Sequence, residues 1–170
     1  MIAPVLKSSF PPVADAGARV LILGSLPGEV SLARAQYYAN PRNQFWRLIE
    51  GVAGVSLPAD YAARLAAVRD IGIALWDTVK AASRTGSLDG AIRNPEANAL
   101  ADLVAELPAL QAIAFNGGKA SAIGRRQLGD TAGLALITLP SSSPALTVSF
   151  DEKLAAWRQI RPFLRLPQGS

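Results

Sequence analysis

The segment Gln36-Tyr37-Tyr38-Ala39-Asn40-Pro41-Arg42-Asn43-Gln44-Phe45-Trp46 is the densest mixture of aromatic and polar side chains in the chain. Two tyrosines stand ahead of a helix whose first turn is expected to carry Arg42 and Asn43. A flat ligand can stack on a ring there while an amide and a guanidinium reach its polar edge. Phe45, Trp46, Leu48 and Ile49 have the spacing of a buried helix face, and Asn40 before Pro41 reads as the helix cap. Tyr38 and Asn43 have no comparable structural duty and are candidates for chemistry; the other reading of Asn43 is a solvated residue in a first turn.

The chemistry is bounded by what is missing. The 170 residues contain no histidine and no cysteine, which excludes Ser-His-Asp and Cys-His sets, thiol nucleophiles, zinc sites of the usual Cys/His kind and thiolate-held iron–sulfur clusters. Carboxylates, amides, hydroxyls, Lys, Arg and backbone groups remain. The net charge is +4, and 13 of the 17 basic residues are Arg, a residue suited to bidentate phosphate contact; an ordinary basic surface accounts for the charge equally well. Half the residues are hydrophobic and 18% are charged, the balance of a folded chain with one core. Met1 leads into no signal-like region, and no apolar run reaches membrane-spanning length.

Four short apolar runs must position these groups. Arg19–Leu23, Ile71–Trp76, Ala112–Phe115 and Leu134–Thr138 read as strands buried on both faces, as in a parallel sheet. Helical segments lie between them, with start signals at Asn40-Pro41, at Asn94-Pro95 with Glu96, and at Ser149 with Glu152. Residues 1–18, with Phe10-Pro11-Pro12, read as an irregular lead-in. The alternation predicts an α/β layered fold whose site lies at the carboxyl ends of the strands. The loops gathered there are Gly24-Ser25-Leu26-Pro27-Gly28, Asp77-Thr78, Asn116-Gly117-Gly118-Lys119 and Leu139-Pro140-Ser141-Ser142-Ser143-Pro144. Neither nucleotide motif fits: the Rossmann pattern finds only Gly24 and Gly28, and the Walker pattern meets Ile113 and Ala120 where it needs Gly and Ser or Thr.

Taken together and in order over residues 18–163, four blocks resemble the hypoxanthine-DNA glycosylase family of the uracil-DNA glycosylase superfamily. They are Gly24–Gly28, Tyr37–Trp46, Phe115–Ala120 and Leu139–Ala145. The Pro-x-Asn-x-Phe-Trp block also resembles the mismatch-specific uracil-DNA glycosylases. The resemblance implies a single three-layer α/β/α domain over 1–170 with a central, mainly parallel four-stranded sheet. It further implies a base-flipping, monofunctional glycosylase without metal or cofactor, acting as a monomer on DNA containing deaminated bases, in the cytoplasm at the nucleoid and away from any membrane. The superfamily usually has a catalytic Asp or Asn where Leu26 stands, commonly His where Asn40 stands, and His or Asn where Leu139 stands. In the hypoxanthine branch, which resembles this chain in lacking the first of these, the catalytic role falls to the Asn of the Pro-x-Asn block, here Asn43.

On that resemblance Tyr38 stacks on the flipped base, and Ser25, Leu26, Pro27, Asp77 and Asn116 surround its edge. Asp77, where uracil-specific relatives commonly carry a base-reading Asn, accepts the N1–H of hypoxanthine; the other reading of Asp77 is a loop cap. Ser141, Ser142 and Ser143 grip phosphates or simply form turns. Pro144 and Ala145 wedge into the vacated stack. Arg42 and Lys119 are phosphate candidates, and Arg125-Arg126 is either another or a solvated face. Competing readings are the same chemistry on uracil or xanthine, a non-catalytic DNA-binding module made credible by Leu26, and, more distantly, a nucleoside hydrolase.

Overall fold

The computed structural model describes residues 5–8, 10–84, 93–129, 131 and 133–166. In chain order the elements are β1 (Val5–Ser8), β2 (Val20–Gly24), α1 (Glu29–Arg34), α2 (Phe45–Ala53), α3 (Tyr61–Asp70), β3 (Ile73–Asp77), β4 (Val79–Arg84), β5 (Arg93–Ala97), α4 (Leu100–Ala105), β6 (Ala112–Asn116), α5 (Gly118–Leu128), β7 (Ala135–Leu139) and α6 (Phe150–Trp157), which runs into a 3-10 turn at Arg158–Phe163.

The four expected strands form one parallel sheet in the order β3-β2-β6-β7. Alternation along β2 builds the layers. Val20 and Ile22 face a core with Phe45, Leu48 and Ile49 of α2 and Trp157 of α6. Leu21 and Leu23 face the opposite core, with Leu100 and Leu103 of α4 and Ala120 and Leu128 of α5. A sheet covered on both faces explains why these strands read as continuous apolar runs. The architecture is three-layer α/β/α.

Three local expectations are corrected. Residues 1–18 are not wholly irregular: β1 pairs antiparallel with β4, and Val13 bridges Leu75 in both directions of hydrogen bonding. Pro11 and Pro12 fall between these two pairings and interrupt neither. Asn94-Pro95-Glu96 does not open a helix but lies in β5, the edge strand of a second, antiparallel sheet of order β1-β4-β5. An edge strand tolerates a residue without an N–H, and the β4–β5 register is irregular around it. The following helix starts only at Leu100. Finally, α2 begins at Phe45 rather than after Asn40. The amide of Gln44 donates to Ser142 O at 3.0 Å instead of to the helical partner Asn40 O, which already receives Asn43 N. Smaller shifts have the same kind of cause: Ile71 caps α3, and Gly72, at φ +87°, makes the reversal into β3. The Ser149 cap is as expected, its hydroxyl accepting from Glu152 N at 3.2 Å.

Candidate active site

Parallel pairing brings the strand ends into line. Gly24, Asp77, Asn116 and Leu139 are the last residues of β2, β3, β6 and β7, with Gly24 opposite Asp77 and Asn116 opposite Leu139. Chain connections leave β2 towards β3 on one side and β6 towards β7 on the other, which leaves a crevice above the centre of the sheet. A cleft of about 450 Å³ opens there, walled by the Gly24–Gly28 turn, Tyr38, Asn43, Asp77, Asn116 and the Ser141–Leu146 loop. Among the sequence-predicted residues, Arg42 and Lys119 stand outside this wall, both exposed.

Tyr38 is held by several contacts at once. Its ring stacks on the fully buried Phe45 with centroids 3.8 Å apart and planes 13° from parallel. Trp46 Nε1 donates to its carbonyl at 3.1 Å. Its backbone has φ +53°, a left-handed conformation that costs a bulky residue about 1–2 kcal/mol and persists only where surroundings enforce it. Beside it, Gly24 permits a close approach: a methyl there would lie 2.6 Å from Asp77 Oδ1 and 3.2 Å from the Tyr38 hydroxyl. Carboxylate and phenol therefore meet at the end of β2. Asp77 is buried, and its main-chain carbonyl accepts from Asn98 Nδ2 at 2.8 Å. The neighbouring Tyr37 donates its hydroxyl to Pro11 O at 3.0 Å. Burial first, and the Asp77 charge second, push this phenol well above its ordinary range, so it is a fixed neutral donor.

Asn43 has a structural duty that its sequence does not show. Its Oδ1 accepts from Phe45 N at 2.9 Å and so satisfies an orphan donor at the start of α2. Asn40 acts one turn earlier, accepting from Arg42 N at 2.9 Å rather than capping the helix. Leu26 is buried against Val79 with Ile123 alongside, an apolar anchor for the first loop.

The serine loop divides inside and outside. Ser141 and Ser143 hydroxyls accept from Ser143 N and Ala145 N, turn contacts that leave both side chains partly accessible on the cleft wall. Ser142 departs from the phosphate-gripping expectation because it points inward, at 1% exposure. Asn116 Nδ2 donates to its Oγ and Ser142 N donates to Asn116 Oδ1, both at 2.9 Å. Asn116 also donates to the Tyr38 hydroxyl at 3.3 Å. Its amide thus joins β6, the serine loop and Tyr38. Gly117, at φ +101°, lets Ser141 pack beside it. Trp157 Nε1 anchors the other end of the loop on Pro140 O at 2.8 Å. Arg125 and Arg126 are both exposed, but Arg125 folds back on the protein, donating to Ser121 Oγ at 2.9 Å and lying over the Phe115 ring. Sequence reasoning missed Lys153 and Gln44, which meet below the loop; a Lys four residues before Trp157, on the buried face of α6, was the available signal. Among the described residues, no group of three or more acidic side chains could hold a metal ion, and no helix is long and apolar enough to cross a membrane.

A three-layer α/β/α fold with a cleft above the end of its parallel sheet, flanked by a hydroxyl loop, defines the class of structure. Residues 11–165 match the family model of the uracil DNA glycosylase superfamily, and the chain belongs to that superfamily. It is 41% identical over 157 residues to a hypoxanthine DNA glycosylase of Methanosarcina acetivorans, covering 92% of this chain and 98% of the relative. A hypoxanthine DNA glycosylase of Methanosarcina barkeri is 44% identical over 114 residues, 66% of this chain and 72% of the relative. The solution NMR structure of a candidate uracil DNA glycosylase from Methanosarcina acetivorans superposes with a TM-score of 0.83 at 37% identity, covering 94% of this chain and 99% of that one.

Proposed function

We propose that this enzyme flips hypoxanthine out of deoxyinosine-containing DNA and hydrolyses its N-glycosidic bond, opening base excision repair. The observation that carries the reading is the convergence of Tyr38, Asp77 and Asn43 in one cleft at the strand ends, in a chain similar over nearly its whole length to a hypoxanthine DNA glycosylase. The base stacks on Tyr38. Asp77 accepts the base N1–H; adenine, whose N1 is an acceptor, meets the carboxylate with repulsion. The base carbonyl lies close to the same carboxylate, which limits the gain. Asn43 holds water near C1′, using the second lone pair of the oxygen that caps Phe45 N. Water oxygen bonds to C1′ as the C1′–N9 bond breaks; the electron pair leaves with the base, and a proton from water ends on it. Ser141 and Ser143, with Arg42 and Lys119, hold phosphates, and Pro144 and Ala145, exposed at the loop tip, fill the vacated stack. The working unit is a monomeric domain at the nucleoid that needs no cofactor.

The test is single-turnover cleavage of labelled oligonucleotides carrying deoxyinosine, deoxyuridine or deoxyxanthosine, single- and double-stranded, for the parent and Asn43→Ala. Hypoxanthine excision that disappears in the variant is expected. Excision confined to uracil or xanthine moves the substrate, and DNA binding without any excision favours a non-catalytic module.

A further inference from the structure

Lys153 is fully buried on α6, at 1% exposure, and the glycosidic chemistry above does not use it. Among the described residues its ammonium has two partners, both neutral oxygens: Gln44 Oε1 at 2.8 Å and Ser143 O at 3.1 Å. The carboxylates nearest along the chain, Asp151 and Glu152, are exposed. On the facing helix α2, Arg47 lies over the Phe150 ring, and Glu50 accepts from Leu57 N. A buried cation held only by neutral acceptors is poor value as a stability device, since an apolar side chain of equal length avoids its desolvation. What distinguishes Lys153 is whom it joins. Gln44 follows Asn43 and directly precedes α2, and Ser143 belongs to the loop expected to hold phosphate. The main chain joins the same pair of segments once more, through Gln44 N to Ser142 O at 3.0 Å.

On the glycosylase reading, we infer that Lys153 is a positioning residue that fixes Asn43 relative to the serine loop, and so fixes the attacking water relative to the nucleotide that the loop grips. Asn43 carries no charge with which to draw water into place, and a misplacement of about 1 Å can cost roughly 10²-fold in rate. The linkage therefore acts on the chemical step and not on affinity for DNA.

Two variants test it from opposite sides. Lys153→Met keeps length and packing while removing the donor; Gln44→Met removes the acceptor without touching α6. Single-turnover excision at saturating enzyme is expected to fall roughly 10- to 100-fold in Lys153→Met, with the DNA dissociation constant within about threefold of the parent. Gln44→Met should lose rate in the same direction, and the double variant should be no slower than Lys153→Met alone. Amide hydrogen exchange read on the same proteins should rise at Gln44–Phe45 and in 141–146 but not in β2 or β6. Unchanged rate, a loss confined to DNA affinity, multiplicative losses in the double variant, or unchanged exchange at both segments each overturns the inference. Should Lys153→Met fail to fold, Gln44→Met carries the same decision. A parent that excises nothing refutes the glycosylase reading, while the exchange measurement still decides whether Lys153 fixes the two segments.

Discussion

Replacing Asn116 by Ala should break the joint between the sheet and the serine loop, and the structure sets the size of the effect. Two hydrogen bonds of 2.9 Å are lost, Nδ2 to Ser142 Oγ and Ser142 N to Oδ1, along with the longer contact to the Tyr38 hydroxyl. Each good bond is worth about 1 kcal/mol net, and a buried N–H left without a partner costs about 1–3 kcal/mol. Ser142 is 1% exposed, so its amide cannot turn to bulk water, and the total comes to about 3 kcal/mol. For a chain of this size that is a fall of roughly 6–12 °C in Tm. Ser142→Ala removes only the hydroxyl and should cost about 1 kcal/mol; the double variant should cost less than the sum, because one bond is shared. The assay is thermal and urea unfolding of the four proteins, followed by excision of hypoxanthine and uracil. Because the Asn116 amide is engaged within the protein, Asn116→Ala should slow both substrates in parallel. A Tm within about 2 °C of the parent, or a reversed base preference with the fold intact, would refute the structural role and return Asn116 to reading the base.

Asn43→Ala should lose excision and also about 1 kcal/mol of stability through the uncapped Phe45 amide, whereas Asn43→Asp, which keeps an acceptor at the helix start, should match the parent in Tm; calorimetry of both separates cap from chemistry. Gly24→Ala drives a methyl into Asp77 Oδ1 and should cut single-turnover excision of hypoxanthine by at least about tenfold in a protein that still unfolds cooperatively. Leu26→Asp puts a carboxylate into the apolar contact with Val79 and Ile123 and should destabilise by about 2–5 kcal/mol without accelerating excision; a faster enzyme of unchanged Tm would show that this position faces water in the cleft. Burial lowers the Lys153 ammonium below its ordinary 10.5, so between the folded value and 10.5 the unfolded chain binds more protons, and stability rises with pH through that window. The parent should therefore gain on Lys153→Met as pH climbs towards 10.5 in denaturant titrations at matched ionic strength.

The parallel sheet was legible because each of its strands is buried on both faces, which leaves an unbroken apolar run. The second sheet was hidden for the opposite reason. Nothing in Val5-Leu6-Lys7-Ser8 or Arg93-Asn94-Pro95-Glu96-Ala97 requires a partner; β1 is defined by pairing with β4 from far along the chain, and β5 by pairing with the strand just before it. Asn94-Pro95-Glu96 satisfies local rules for a helix start, yet the edge pairing prevails. Within the site, the loops and their gathering at the strand ends could be read from sequence, but the direction of individual polar groups could not. Ser141, Ser142 and Ser143 are chemically identical in the sequence, and only the reciprocal bonds to Asn116 decide that the middle one faces in. Asn43 as a cap depends on Gln44 N being drawn away to Ser142 O, a contact between residues 98 positions apart in the sequence.

On the proposed mechanism, an amide in the catalytic role changes what the rest of the site must supply. A general base with a matched pKa contributes about 10²–10⁴-fold by taking a proton in the transition state, and Asn43 has no such capacity. Orientation and fixed dipoles must then carry the reaction, and these reward rigidity. The polar groups around the cleft are arranged accordingly. Asn43 is tied to its own helix start, Gln44 to the serine loop both directly and through Lys153, Ser142 to Asn116, and Asn116 to Tyr38. Each of these groups fixes its neighbour, so the strain in Tyr38 and the buried charge of Lys153 are sustained by the same network that holds the Asn43 amide, proposed to bind water, in place. A histidine-free site of this kind should lose rate when any member of the network is loosened, including members that never touch the substrate.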